Sequence, residues 1–99
     1  MNAKEILRKK IDIYDFARKE EETNIVDLAK NNDFFMLEDY AKNWKRYYLV
    51  EQELLKIWHS NNNDWLNHYC FIYSRSPKMF QNEILTVLQE IKDEVERKI

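Results

Sequence analysis

The sequence predicts an all-α fold: a small bundle of four to five helices with a long central helix and a long C-terminal helix. Three observations lead there. Apolar residues recur at helical intervals along most of the chain, glycine is absent, and the breaks between periodic stretches are short and asparagine-rich. With 99 residues there is material for one core, so residues 1–99 are read as a single domain.

The first helix is expected over 3–18, where Ile6, Leu7, Ile11, Ile13, Tyr14 and Ala17 form one broad face. Glu5 with Lys9 and Asp15 with Lys19 support its solvated side, each acid lying four residues before its base. The run Glu20, Glu21, Glu22 reads as its frayed end. Asn24 then caps a short helix over 25–30, with Asp27 at the reciprocal position of a capping box, and Asn31 and Asn32 stop it.

Asp33 offers a cap for the longest helix, over 34–59, nearly 40 Å in length at about 1.5 Å per residue. One face gathers Leu37, Tyr40, Ala41, Trp44, Tyr47, Tyr48, Leu54, Leu55 and Trp58, with Glu38, Lys42, Lys45, Gln52 and Lys56 opposite. Glu51 interrupts that face. Phe35, Val50 and Ile57 form a second, narrower apolar line, which reads first as a central helix packed on two sides and second as an exposed strip that receives a partner.

Residues 60–64 are the clearest loop, and Asp64 can cap a helix starting at Trp65. Residues 68–73 have strand-like composition, yet there is no second convincing strand for them to pair with, so 65–75 is read as a short buried helix. Ser76 and Pro77 suit the start of the last helix, whose face is Phe80, Ile84, Leu85, Val87, Leu88, Ile91 and Val95. This helix and the long central one are expected to be the main antiparallel pair.

Composition narrows the function. Sixteen basic residues against eighteen acidic ones argue against electrostatic wrapping of nucleic acid. No apolar run approaches a membrane span and the N-terminus does not resemble a signal peptide, so a cytoplasmic location without membrane contact is expected. The absence of glycine excludes Gly-rich phosphate loops, dinucleotide fingerprints and nucleophile elbows. Helices that would end on glycine must end on asparagine.

Candidate chemistry is thin. His59, Asp64, His68 and Cys70 are the only metal-ligand set to consider, and only Asp64 with His68 has the one-face spacing, so neither metal nor cofactor is expected. Cys70, the sole cysteine, reads as a small buried hydrophobe. Glu51 is the one carboxylate on an apolar face, with no partner acid that would make it catalytic; either the helix curves or Glu51 reaches a tyrosine, a lysine or solvent at the core edge. Lys42, Trp44, Lys45, Arg46, Tyr47 and Tyr48 interleave bases with rings, but helical geometry sends the two sets to different sides.

Two binding surfaces remain. The order of short helix, turn and long helix in the last third resembles a helix-turn-helix in outline, with Arg75, Lys78, Gln81 and Asn82 where base-reading side chains belong. It lacks the usual glycine in the turn. The other surface is built from Phe35, Arg46, Val50, Ile57 and Trp65, residues suited to receiving another protein or a second copy as a homodimer. The asparagine-, lysine- and isoleucine-rich composition resembles that of small proteins from AT-rich bacteria and their phages. The expectation is therefore a non-catalytic protein-binding module that inhibits or regulates a larger bacterial host protein; a DNA-binding regulator is the alternative.

Overall fold

A computed structural model describes residues 2–75 and 79–97, and these described residues form four helices: α1 Ala3–Lys30, α2 Leu37–Trp58, α3 Trp65–Arg75 and α4 Gln81–Arg97. No strand occurs among the described residues, and 65–75 is helical.

The first two expected helices are one. α1 runs unbroken for 28 residues, so Asn24 lies inside it instead of capping a second helix. The acidic run continues the helix because it has partners: Glu22 accepts from Arg18 Nη1 at 2.6 Å and from the Trp44 indole of α2 at 2.9 Å. Asn2 opens α1 by accepting the Glu5 N–H at 2.9 Å. It closes on asparagine. Asn32 adopts φ 56°, its N–H bonds the Ala29 carbonyl, and the Asp33 N–H bonds that of Leu28, a left-handed stop that glycine more commonly supplies.

Because Asp33 completes that stop, it does not cap the next helix. α2 starts later than expected, at Leu37, with no side-chain cap and with Glu38 and Asp39 in its first turn. Its far end is held from α1: Lys4 Nζ donates to the carbonyls of Ile57, Trp58 and Ser60, at 3.2 Å for Ile57 and 3.3 Å for Ser60. Asp64 precedes α3, where its carboxylate takes the Asn67 side-chain amide at 3.0 Å and its carbonyl the His68 N–H at 3.0 Å. The expected start of the last helix at Ser76 and Pro77 lies outside the described residues; α4 begins at Gln81, after Phe80 at φ 60°.

α1 and α2 form an antiparallel hairpin and are the most extensive pair, in place of the expected pairing of α2 with α4. The reason is length. A continuous α1 lies alongside the whole of α2, whereas the shorter α4 packs with α3 and reaches α1 through Lys10–Glu90 at 2.9 Å and Tyr14–Glu83 at 2.8 Å.

The core is Ile6, Leu7 and Ile11 of α1, Val50, Leu54 and Ile57 of α2, Trp65 and Tyr73 of α3, and Ile84, Val87, Leu88 and Ile91 of α4. It occupies one end of the hairpin. Between Ile11 and Val50 no residue is buried, so the other end of α1 and α2 projects as a two-helix arm. The dimensions agree: the molecule measures 51 × 29 × 22 Å, and its radius of gyration of 15.8 Å exceeds the roughly 13 Å of a compact chain this size.

Candidate protein-binding surface

The arm's apex is the short connection from Asn31 to Met36. It contains three consecutive exposed apolar residues: Phe34 is 63% exposed, Phe35 89% and Met36 39%. Turns are ordinarily polar, and two phenylalanines at the tip of a hairpin combine large contact area with few side-chain rotamers to freeze. Asp27, Asp33, Glu38 and Asp39 surround this apex against Lys30 and Lys42, which makes its surroundings acidic.

A cluster of ion pairs lies along the arm. Arg18 is its hub, reaching Asp15 at 2.7 Å, Glu22 at 2.6 Å and Glu51 at 3.6 Å, while Lys19 holds the other oxygen of Asp15 at 2.9 Å. Trp44 stacks on Tyr48 with centroids 5.2 Å apart, and the Tyr14 and Tyr47 rings meet at 6.1 Å.

Glu51, the charge on the apolar face, is buried at 5% exposure, and its counter-ion is an arginine from α1 in place of the tyrosine, lysine or solvent expected. Burial pushes its carboxyl above the ordinary carboxylate range, against the opposing pull of Arg18. The Lys19 hydrogen bond and the Trp44 indole respectively hold Asp15 and Glu22 below theirs.

The five residues expected to form a binding surface separate. Phe35 is at the exposed apex. Arg46 is partly exposed, with its guanidinium 4.9 Å from the Tyr47 ring and 3.6 Å from Glu83. Val50, Ile57 and Trp65 are core residues and present no surface, because α2 is packed on two sides at its C-terminal half. Phe34 and Met36 join Phe35 instead; the signal for them was an apolar triplet directly after a turn, which an early helix start had absorbed. Ile13, placed on the core face of α1, is 61% exposed.

Of the four candidate DNA-reading residues, Arg75 is exposed with its guanidinium 4.3 Å over the Phe71 ring, Gln81 is half-buried, Asn82 is exposed, and Lys78 lies outside the described residues. One residue further on, Glu83 turns inward to Tyr14 and Arg46. The first turn of α4 is thus partly occupied by contacts to α1 and α2.

An open groove of about 470 Å³ separates α1, α2 and α4, lined by Ile13, Tyr14, Ala17, Arg46, Tyr47 and Val87 among others. Its charged groups are paired across it, Lys10 with Glu90 and Arg46 with Glu83, and neither Glu51 nor His68 lines it. Burial raises the Tyr14 hydroxyl above the usual range, reinforced by its bond to Glu83. Among the described residues no group of three or more His, Cys, Asp or Glu side chains could hold a metal, and no helix is long and apolar enough to cross a membrane. No protein-family model, curated protein or solved structure matches the chain.

Proposed function

We propose that this chain is a non-catalytic protein-binding module whose arm presents Phe34, Phe35 and Met36 to a pocket on a larger partner. What supports the reading is the exposure of three consecutive apolar side chains at the apex of a helical hairpin. In a free monomer they contribute little to folding. In a complex they become the buried centre of an interface, with the acidic ring around them as its polar rim. The composition that resembles small phage and mobile-element proteins favours a bacterial host protein as the target and inhibition or regulation as the outcome.

The test places a photoreactive phenylalanine analogue at position 35 of the full chain expressed in a bacterial cell, with the same analogue at exposed Lys9 as control. One discrete adduct with another protein is expected at position 35 and not at position 9. In the purified complex, replacing Phe34 and Phe35 by alanine lowers affinity about 100-fold or more, and thermal stability stays nearly unchanged because neither ring is buried. Indistinguishable adducts from the two positions, or recovery of nucleic acid alone, would overturn the reading.

A further inference from the structure

A second, partly exposed line runs along one flank of α2, where Trp44 stacks on Tyr48 and its indole reaches Glu22 of α1. Leu37, Ala41, Trp44 and Tyr48 are spaced by four, three and four residues, the alternation that keeps side chains in one line when two helices pair. Ala41 is exposed, Tyr48 is 39% exposed, and Leu37 and Trp44 are half-buried, so the line is only partly covered by α1. Glu38 and Lys45 flank it one heptad apart, on the side away from the Trp44 contact with α1. Glu38 has only a highly exposed pairing with Lys42 at 3.5 Å, and Lys45 forms no ion pair among the described residues.

We infer that this flank pairs with the same flank of a second copy, the two α2 helices running antiparallel about a two-fold axis. The pattern is complementary to itself in that direction alone. Antiparallel alignment sets Ala41 against Trp44 of the second copy and Leu37 against Tyr48, twice each, so every layer combines a smaller side chain with a larger one. The same register brings Glu38 beside Lys45 of the second copy, and Lys45 beside its Glu38, to within about one helical turn. A parallel alignment stacks Trp44 on Trp44 and Ala41 on Ala41, one layer overfilled and one hollow, and matches no opposite charges. The paired segment spans about 17 Å of helix and leaves residues 34–36 outside it, so the two apices point in opposite directions.

Sedimentation equilibrium on the full chain tests this. A reversible dimer is expected. Lys45→Glu or Glu38→Lys alone reverses two contacts per dimer and weakens association about tenfold, whereas the double exchange restores it to within about threefold of the original. Ala41→Glu removes the dimer up to about 0.2 mM chain while leaving helicity unchanged, since Ala41 is exposed within one chain. A chain that is monomeric at that concentration overturns the proposal, and so does a dimer indifferent to the charge exchanges.

Discussion

Arg18 holds three carboxylates against one guanidinium, and removing either side of that cluster has unequal consequences. Without Arg18, Asp15, Glu22 and Glu51 repel one another across the α1–α2 seam, and Glu51 becomes a buried charge with no counter-ion. Arg18→Met is therefore expected to cost about 3 kcal/mol in urea unfolding. Without the Glu51 charge, Arg18 keeps Asp15 and Glu22. Glu51→Gln is expected to lie within about 1 kcal/mol of the parent at pH 7, on the stabilising side, because burial outweighs the Arg18 attraction. The pH dependence separates the groups. Glu51 titrates higher folded than unfolded, so the native state binds the extra proton and stability falls as pH rises from about 4.5 through the raised value. Asp15 and Glu22 titrate lower folded than unfolded, so their contribution is present above the ordinary carboxylate range and is lost as pH falls through their depressed values. Unfolding measured from about pH 2 to 8 should show Glu51→Gln abolishing the decline above pH 4.5 while keeping the loss on the acid side; an unchanged slope would sink this account.

At the scale of elements, the continuity of α1 is the feature with the widest effects. A cap at Asn24 would make Asn24→Ala cost about 1 kcal/mol, whereas inside a helix the same change is neutral or gains about 0.5 kcal/mol from helix propensity. The interior position of Asn24 predicts the second result, and a loss of about 3 kcal/mol for Asn24→Pro, both read from urea unfolding. This is also where the sequence misleads. Three glutamates ahead of Thr23 and Asn24 look like a helix end because, taken locally, the glutamate charges repel and Thr23 and Asn24 have low helix propensity. What sustains the helix is non-local: Arg18 lies one turn back, but Trp44 arrives from α2. Missing that continuity also displaced the main pairing from α1 with α2 to α2 with α4. Positions set by periodicity alone fared better. Leu54, Ile84, Leu88 and Ile91 were legible as core, and residues 65–75 as helix, because spacing and the lack of a partner strand decide them. Of the binding candidates, Val50, Ile57 and Trp65 were misplaced for a related reason: an apolar line beside another can be a second packing face or an exposed strip, and only the positions of α3 and α4 distinguish the two.

The whole molecule divides into a packed end and a projecting end, and the division should appear in its dynamics. Every buried residue of α1 lies at or before Ile11, and every one of α2 at or after Val50, so beyond those points the hairpin rests on hydrogen bonds, ion pairs and half-buried contacts. Little apolar area is removed from water there, and local opening needs to expose correspondingly little. Amide hydrogen exchange should therefore resolve two classes. Amides near residues 6–11, 50–57 and 84–91 exchange through global unfolding, with strong dependence on urea, while those of 20–30 and 38–46 exchange about 100-fold faster through an opening with weak urea dependence. Uniform protection along α1 would mean that the arm is as stable as the core and would contradict the division. Repeating the measurement at rising chain concentration connects it to self-association. A second copy seated on the α2 flank protects 38–48 as the dimer populates and leaves the packed end, already at the global limit of the monomer, rising only by the free energy of dimerisation.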